Sequence, residues 1–484
     1  KRLLVPDGKP RPKLQDLTMS MMYSTTMRKL HVLYSQTNYN ASERGVYILR
    51  NQLNQPITAE SYVYQPGAED YLTARYGTWI LVRVHPIAAH SPLTLSAQTI
   101  LMDKQRNTQL GSQGPTNAIN FFDEDFMTEY LTGVKKMVEY DRDHNQHVLG
   151  YTIMPPEFFY DCVPYPIGMK WLGGFGQQAK ESYLRFLRRV GSDGNDWPEF
   201  SDGGISLNRD YYLWAYWRNM EAARYIGRVA AAIKEVDPKT MVGTLHYVVD
   251  LQLRGLEPGF IEKNPQVDYY YSSNGFPRIP GPDGYTGGHI ITNTRQNVLG
   301  HSNKVNLVEH DLWSPYIDFK RHDIYEKYAY LQKILPIPIV FGNFPEGDPP
   351  SNHLTKYNGM TGEPITLELM KTLECSLEKN RKYLNTENVN HVAFIFPSFS
   401  LYSILERGSW KVNRYQYLTF WPLDYLVKQS VGFDLLTEGY ADTEVLDKYK
   451  LVIVVSPVIY PWLRNALENT TADVLALGWA GSVA

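Results

Sequence analysis

At 484 residues the chain has room for roughly two to four domains and a large buried core. Its 48 Lys and Arg nearly cancel 51 Asp and Glu, leaving a formal charge of -3; with no basic excess to hold a polyanion, nucleic acid is excluded as a partner. No apolar run approaches the roughly 18 residues of a membrane span, and two cysteines, Cys162 and Cys375, exclude a disulfide framework and a four-cysteine zinc site.

The first 30 residues are Pro- and Lys-rich, then Met- and Thr-rich, and read as a lead-in. Lys1 rather than Met at the start fits a secreted or periplasmic protein whose leader has been removed. The sequons at Asn40 and Asn469 are too short to settle the compartment.

From 31 to 387 short apolar runs alternate with longer helical stretches, the signature of parallel β/α structure. Eight strands are expected, at 29–35, 57–64, 78–86, 147–157, 240–248, 267–273, 304–311 and 337–343. Before the fifth strand, residues 211–235 place Leu213, Trp217, Met220, Ala223, Ile226, Ala230 and Ile233 on one face of a long helix. Asp237-Pro238 ends it. Residues 366–385 read as a closing helix. Eight strands with intervening helices fit a (β/α)8 TIM barrel better than an open sheet, which stays as the alternative. A smaller α/β domain is expected over 388–484, with strands at 391–398, 450–457 and 472–479 and a helix around 414–429.

Barrel enzymes keep their chemistry at the C-terminal ends of the strands. Strand four ends in Glu157 and strand seven reaches Glu309, and tips four and seven of an eight-strand barrel face each other across its mouth. Two carboxylates about 5 Å apart across a sugar suit retaining glycoside hydrolysis. Glu157 is followed by Phe158, Phe159 and Tyr160, and an apolar neighbourhood raises a carboxyl pKa, which suits the general acid. Glu309 is followed by His310, Asp311 and Trp313. Arg83, His85, His246, Asn274, Asn343 and Glu346 are the other polar residues at strand ends that can bond sugar hydroxyls; Arg83, His85, His246, Asn274 and Glu346 with Tyr160, His310 and Trp313 make up the expected binding set. The aromatic content, 13% with 36 Tyr and 10 Trp, supplies rings to stack on the apolar faces of sugars. Neither a short metal-ligand spacing nor a phosphate-binding loop is present: GPDGYTGG at 281–288 has no strand leading into a Lys. No cofactor is expected.

On these segments the chain resembles the clan A glycoside hydrolases, and most closely the β-galactosidases of family 42. LVEHDLWSP at 307–315 is similar to that family's nucleophile strand and GYTIMPPE at 150–157 to its acid/base strand. The resemblance implies that Glu309 is the nucleophile and Glu157 the acid/base. The unit from 388, with WPLDYL and YKLVIVVSP, is similar to the family's flavodoxin-like trimerisation domain and implies a homotrimer. One departure stands out: the family usually carries Asn before the acid/base Glu, and here the residue is Pro156. That Asn normally bonds the sugar 2-hydroxyl. The resemblance implies a retaining, exo-acting, β-galactosidase-like glycosidase taking an oligosaccharide or glycoside. A β-mannosidase or other β-glycosidase of a related family, a non-catalytic carbohydrate-binding barrel, and a metal-using barrel hydrolase stay open as alternatives.

Overall fold

The computed structural model describes residues 19–20, 22–23, 27–34, 45–50, 62–65, 79–88, 117–118, 120–144, 148–153, 174–198, 209–246, 259–262, 264–274, 305–311, 339–342, 390–397, 422–423, 425–426, 429–456 and 458–477. Among them run β1 (Met19–Ser20), β2 (Met22–Tyr23), β3 (Met27–Tyr34), β4 (Gly45–Arg50), β5 (Tyr62–Gln65), β6 (Trp79–Ala88) and β7 (Asn117–Ala118). Helix α1 (Glu124–His144) precedes β8 (Val148–Ile153), and α2 (Gln177–Arg189) and α3 (Arg209–Val236) precede β9 (Met241–His246). The short α4 (Gly259–Glu262), then β10 (Tyr269–Asn274), β11 (Val305–Asp311) and β12 (Ile339–Gly342) follow.

These strands form one sheet in the order β1-β12-β11-β10-β9-β8-β6-β3-β4-β5. From β6 through β12 every neighbouring pair along this order is parallel. Met19–Ser20 adds to β12 and Met22–Tyr23 adds to β6, so one stretch of chain joins both ends of the parallel run. Pairing thus begins inside the stretch read as a lead-in. The expected second strand behaves differently from a barrel stave. Tyr62–Gln65 pairs antiparallel with Gly45–Arg50 at the sheet's edge, and the sequence reading passed over Gly45–Arg50 altogether. The stretch ITAESYVY carries strand-forming residues without naming its partner. The closing helix expected at 366–385 lies outside the described residues.

The core lies between the sheet and its helices. Val84, Val148, Tyr151, Ile153, Val242 and Tyr270 present one face of β6, β8, β9 and β10 to α1, α2 and α3. Five of the seven residues predicted on the apolar face of α3 are buried; Leu213 and Met220 are partly buried against the same core. The helix also buries Trp214, Ala222, Tyr225 and Val229, so its apolar surface extends well beyond one stripe. It ends at Val236, before the predicted Asp237-Pro238 stop.

A second sheet is built from β13 (Val392–Phe396), β14 (Asp434–Thr437), β15 (Leu451–Val454) and β16 (Asp473–Ala476), with the helices α5 (Thr443–Leu446) and α6 (Pro461–Asn469). Its order is β14-β13-β15-β16, all parallel. β13, β14 and β15 are buried, as their continuous apolar runs require. The edge strand β16 is exposed at all four positions despite reading as apolar.

The two sheets meet through aromatic packing. Tyr216 of α3 lies edge-on to Phe260 of α4 at 4.9 Å and against Trp462 of α6 at 5.4 Å, and Tyr460 stacks on Trp462 at 4.4 Å. Val458 and Tyr460 bury themselves against Tyr216 and Phe260. Glu262 accepts a hydrogen bond from Tyr270 and faces Tyr440, whose hydroxyl is pushed up to about 12 by burial, with Glu262 and then Asp442 adding to the effect. At Gly259 the backbones approach so closely that a Cβ would strike the Gly439 carbonyl. Gly259→Ala is therefore expected to lower the calorimetric unfolding midpoint, at a cost of about 1–3 kcal/mol for forcing backbones apart. An unchanged midpoint would show that the two sheets do not dock at this point.

Candidate active site

The parallel strands set a common register. Val84, Ile153, Thr244, Tyr270 and Asn306 occupy one row, and Arg83, Thr152, Gly243, Tyr269 and Val305 the row before it. Side chains alternate between faces along each strand. Val84, Ile153 and Tyr270 face the helices, so Thr152 and Tyr269 belong to the opposite, inner face.

On that inner face Tyr269 lies across its neighbour β9. Its ring covers Gly243, where a Cβ would collide with it, and its hydroxyl reaches β8 beyond. There the hydroxyl lies 2.8 Å from Thr152 Oγ1 and donates to the Tyr151 carbonyl at 3.0 Å. Thr152 and Tyr269 are both completely buried. Tyr151, on the helix side, donates to buried Asp141 of α1 at 2.7 Å. Next to Tyr269, at the N-terminal ends of β9 and β10, Lys234 of α3 pairs with Asp268 at 2.6 Å and donates to the Thr240 carbonyl at 2.7 Å. Asp268 in turn accepts from the Val242 backbone at 2.9 Å. Behind β8, the Tyr130 and Tyr225 hydroxyls share a buried 3.0 Å hydrogen bond, and burial raises the pKa of both.

This scaffold carries several expected site residues to one edge. Glu309 stands in β11, in register with Ser273 of β10 and Val340 of β12. Asn274 and His310 are register partners one step further on, and His246, the last residue of β9, pairs with Ser272. Arg83 and His85 occupy β6, Arg83 in register with Thr152 and His85 with Lys29. Glu157, Tyr160, Trp313, Asn343 and Glu346 lie outside the described residues, as do Pro156, Cys162, Cys375 and the 281–288 loop. Among the described residues no group of three or more His, Cys, Asp or Glu is placed to hold a metal ion, and no helix is long and apolar enough to cross a membrane.

The residues the sequence reading missed are the positioning ones: Thr152, Gly243, Tyr269, Lys234 and Asp268. Only the glycine inside an apolar strand gave a signal, since glycine there marks a close approach. Tyr269→Phe is expected to cost about 1–3 kcal/mol by removing the hydroxyl that bonds Thr152 and the Tyr151 carbonyl. Gly243→Ala, by displacing the same ring, should lose less when combined with it than the sum of the two. Urea unfolding of the two single variants and the double variant measures this; additive losses would contradict a shared contact.

No known family model matches the chain, and no curated protein matches it. Solved structures do. The chain is similar to β-galactosidase from the psychrophilic Marinomonas ef1, with 12% identity, 94% of this chain and 76% of that chain covered, and a TM-score of 0.58. It is similar to β-galactosidase from Bacillus circulans sp. alkalophilus at 14% identity, covering 95% of this chain and 72% of that one, TM-score 0.59. The apo exo-carrageenase GH42 from Bacteroides ovatus matches at 11% identity over 98% of this chain and 66% of that one, TM-score 0.60. One fold thus carries two named activities, and fold alone does not choose a sugar. At these identities the likeness speaks for the fold: the chain has the fold of the family 42 β-galactosidases of the glycoside hydrolases.

Proposed function

We propose that the protein is a retaining, exo-acting β-glycosidase built on a closed (β/α)8 barrel, with a flavodoxin-like second domain through which it forms a homotrimer. The observation that carries the reading is the position of Glu309 near the C-terminal end of β11, in a sheet shared in fold with β-galactosidases. Glu157 follows the last residue of β8, Ile153, by four positions. Closure of the barrel is supported by the pairing of β1 with β12 and of β2 with β6. The order β14-β13-β15-β16 matches four strands of the flavodoxin order 2-1-3-4-5.

In this mechanism Glu157, protonated, gives its proton to the leaving glycosidic oxygen while the Glu309 carboxylate bonds to the anomeric carbon from the opposite face. The bond from carbon to the leaving oxygen breaks, and a glycosyl-enzyme forms on Glu309. Glu157, now a carboxylate, takes a proton from water, whose oxygen displaces Glu309. Two inversions give net retention. Arg83, His85, Tyr160, His246, Asn274, His310, Trp313 and Glu346 are assigned to sugar binding. A galactoside is the first choice of substrate. Pro156 favours a second reading, a β-mannosidase: without a side-chain amide, it cannot make the usual bond to the sugar 2-hydroxyl.

Aryl β-galactoside, β-glucoside and β-mannoside serve as substrates for the test. Glu309→Gly is expected to lose activity by several powers of ten and, with azide, to give the α-glycosyl azide. Glu157→Ala should still be glycosylated by substrates with a good leaving group, stall at the second step, and give the β-glycosyl azide when azide is added. Exchanged stereochemistry would reverse the two roles. Near-native activity in either variant would remove that residue from the mechanism.

A further inference from the structure

The last three residues of β8 are held by two side chains from other strands. On the inner face the Tyr269 hydroxyl donates to the Tyr151 carbonyl at 3.0 Å and lies 2.8 Å from Thr152 Oγ1. With its one proton given to that carbonyl, the hydroxyl accepts from Thr152. Thr244 lies two positions after Val242 and so in the set that faces the helices; its hydroxyl donates to the Ile153 carbonyl at 3.1 Å. Tyr269, Thr152 and Thr244 are completely buried, so these bonds form away from competing water. The end of β8 is thus gripped from both faces, at three consecutive residues, by the strand beside it and the strand beyond.

Glu157 comes four positions after Ile153 in the chain, and two of the three residues between them are prolines, Pro155 and Pro156. A proline ring fixes its own φ and restricts the residue before it, so such a link has fewer free torsions than an ordinary one. Where and in what direction β8 ends therefore bears directly on where Glu157 arrives. A general acid needs that precision: it must come within about 2.6–3.2 Å of the oxygen it protonates. A misplacement of about 1 Å costs up to about a hundredfold in rate. We propose that Tyr269 and Thr244 are positioning residues for the acid/base, holding the end of β8 so that the Glu157 carboxyl meets the leaving glycosidic oxygen. The inference rests on the reading of Glu157 as the acid/base.

The leaving group separates a misplaced acid from a merely loosened fold. A phenyl β-glycoside has a poor leaving group and needs the proton, whereas a 2,4-dinitrophenyl β-glycoside departs as a stable anion and needs little. Both are made with the sugar the parent turns over best, and kcat/KM is measured for each. In Tyr269→Phe and Thr244→Val, which remove the hydroxyls with little change of shape, the ratio of phenyl to dinitrophenyl kcat/KM should fall by about tenfold. Thr244→Ser, which keeps the hydroxyl, should keep the parent's ratio, and Glu157→Ala should lower it further than either. A thermal melt establishes that each variant is folded; Thr244→Val, matched in shape, carries the test should Tyr269→Phe prove unfolded. The parent's ratio in either folded variant, however large the loss on both substrates, would overturn the proposal for that residue. The parent's ratio in Glu157→Ala, or a parent that turns over no aryl β-glycoside, would instead overturn the reading of the site itself, which separates the two failures.

Discussion

The hydroxyl of Tyr269, reaching over Gly243 to Thr152 and the Tyr151 carbonyl, ties three parallel strands at one height. Everything at the C-terminal edge of the sheet depends on that register. Side chains in a strand alternate with a period of two, so a slip of one residue would send the inner set of positions to the helix face. Hydrophobic packing opposes such a slip from the outside, because Val84, Tyr151, Ile153, Val242 and Tyr270 all bury themselves against the helices. The inner polar clamp opposes it from within. Buried hydroxyls without partners are costly, and in this register Tyr269 and Thr152 satisfy one another.

The same strands are held from further out by the second sheet. Tyr216 and Phe260 on the side of the first sheet meet Trp462 and Tyr460, and Gly259 abuts Gly439. Helix α4 lies in the connection between β9 and β10, the two strands that Gly243 and Tyr269 join. The docking surface and the inner clamp therefore act on neighbouring parts of one supersecondary unit.

Much of this was legible in the sequence. Strands buried on both faces read as continuous apolar runs, and β6 and β8 through β12 all fall within the segments expected from such runs, give or take two residues. Helix α3 was legible from its three- and four-residue steps. The edge was not. Gly45–Arg50 is a short apolar run without flanking helical pattern, and Tyr62–Gln65 is only four residues long, so neither states its partner or its direction. The strand β16 reads as apolar yet stands exposed, because composition reports what a strand tolerates rather than what covers it. For the site, the acidic residue at the end of β11 could be found by its position, since the fold class dictates where chemistry sits. The clamp beneath it could not. Tyr269 and Thr152 are 117 residues apart, and their contact crosses an intervening strand. No local pattern encodes that.

The chemistry proposed for this edge requires that Glu309, and no other side chain, become covalently bonded to the sugar. A 2-deoxy-2-fluoro-β-glycosyl fluoride slows both steps but, having a good leaving group, forms the intermediate faster than water removes it. Peptide mass spectrometry after such treatment tests the claim most directly. The account predicts one added fluoroglycosyl group per chain, on the peptide containing Glu309 and abolished by Glu309→Gln. A label on another carboxylate, or turnover of the parent with inversion and no label, would contradict it.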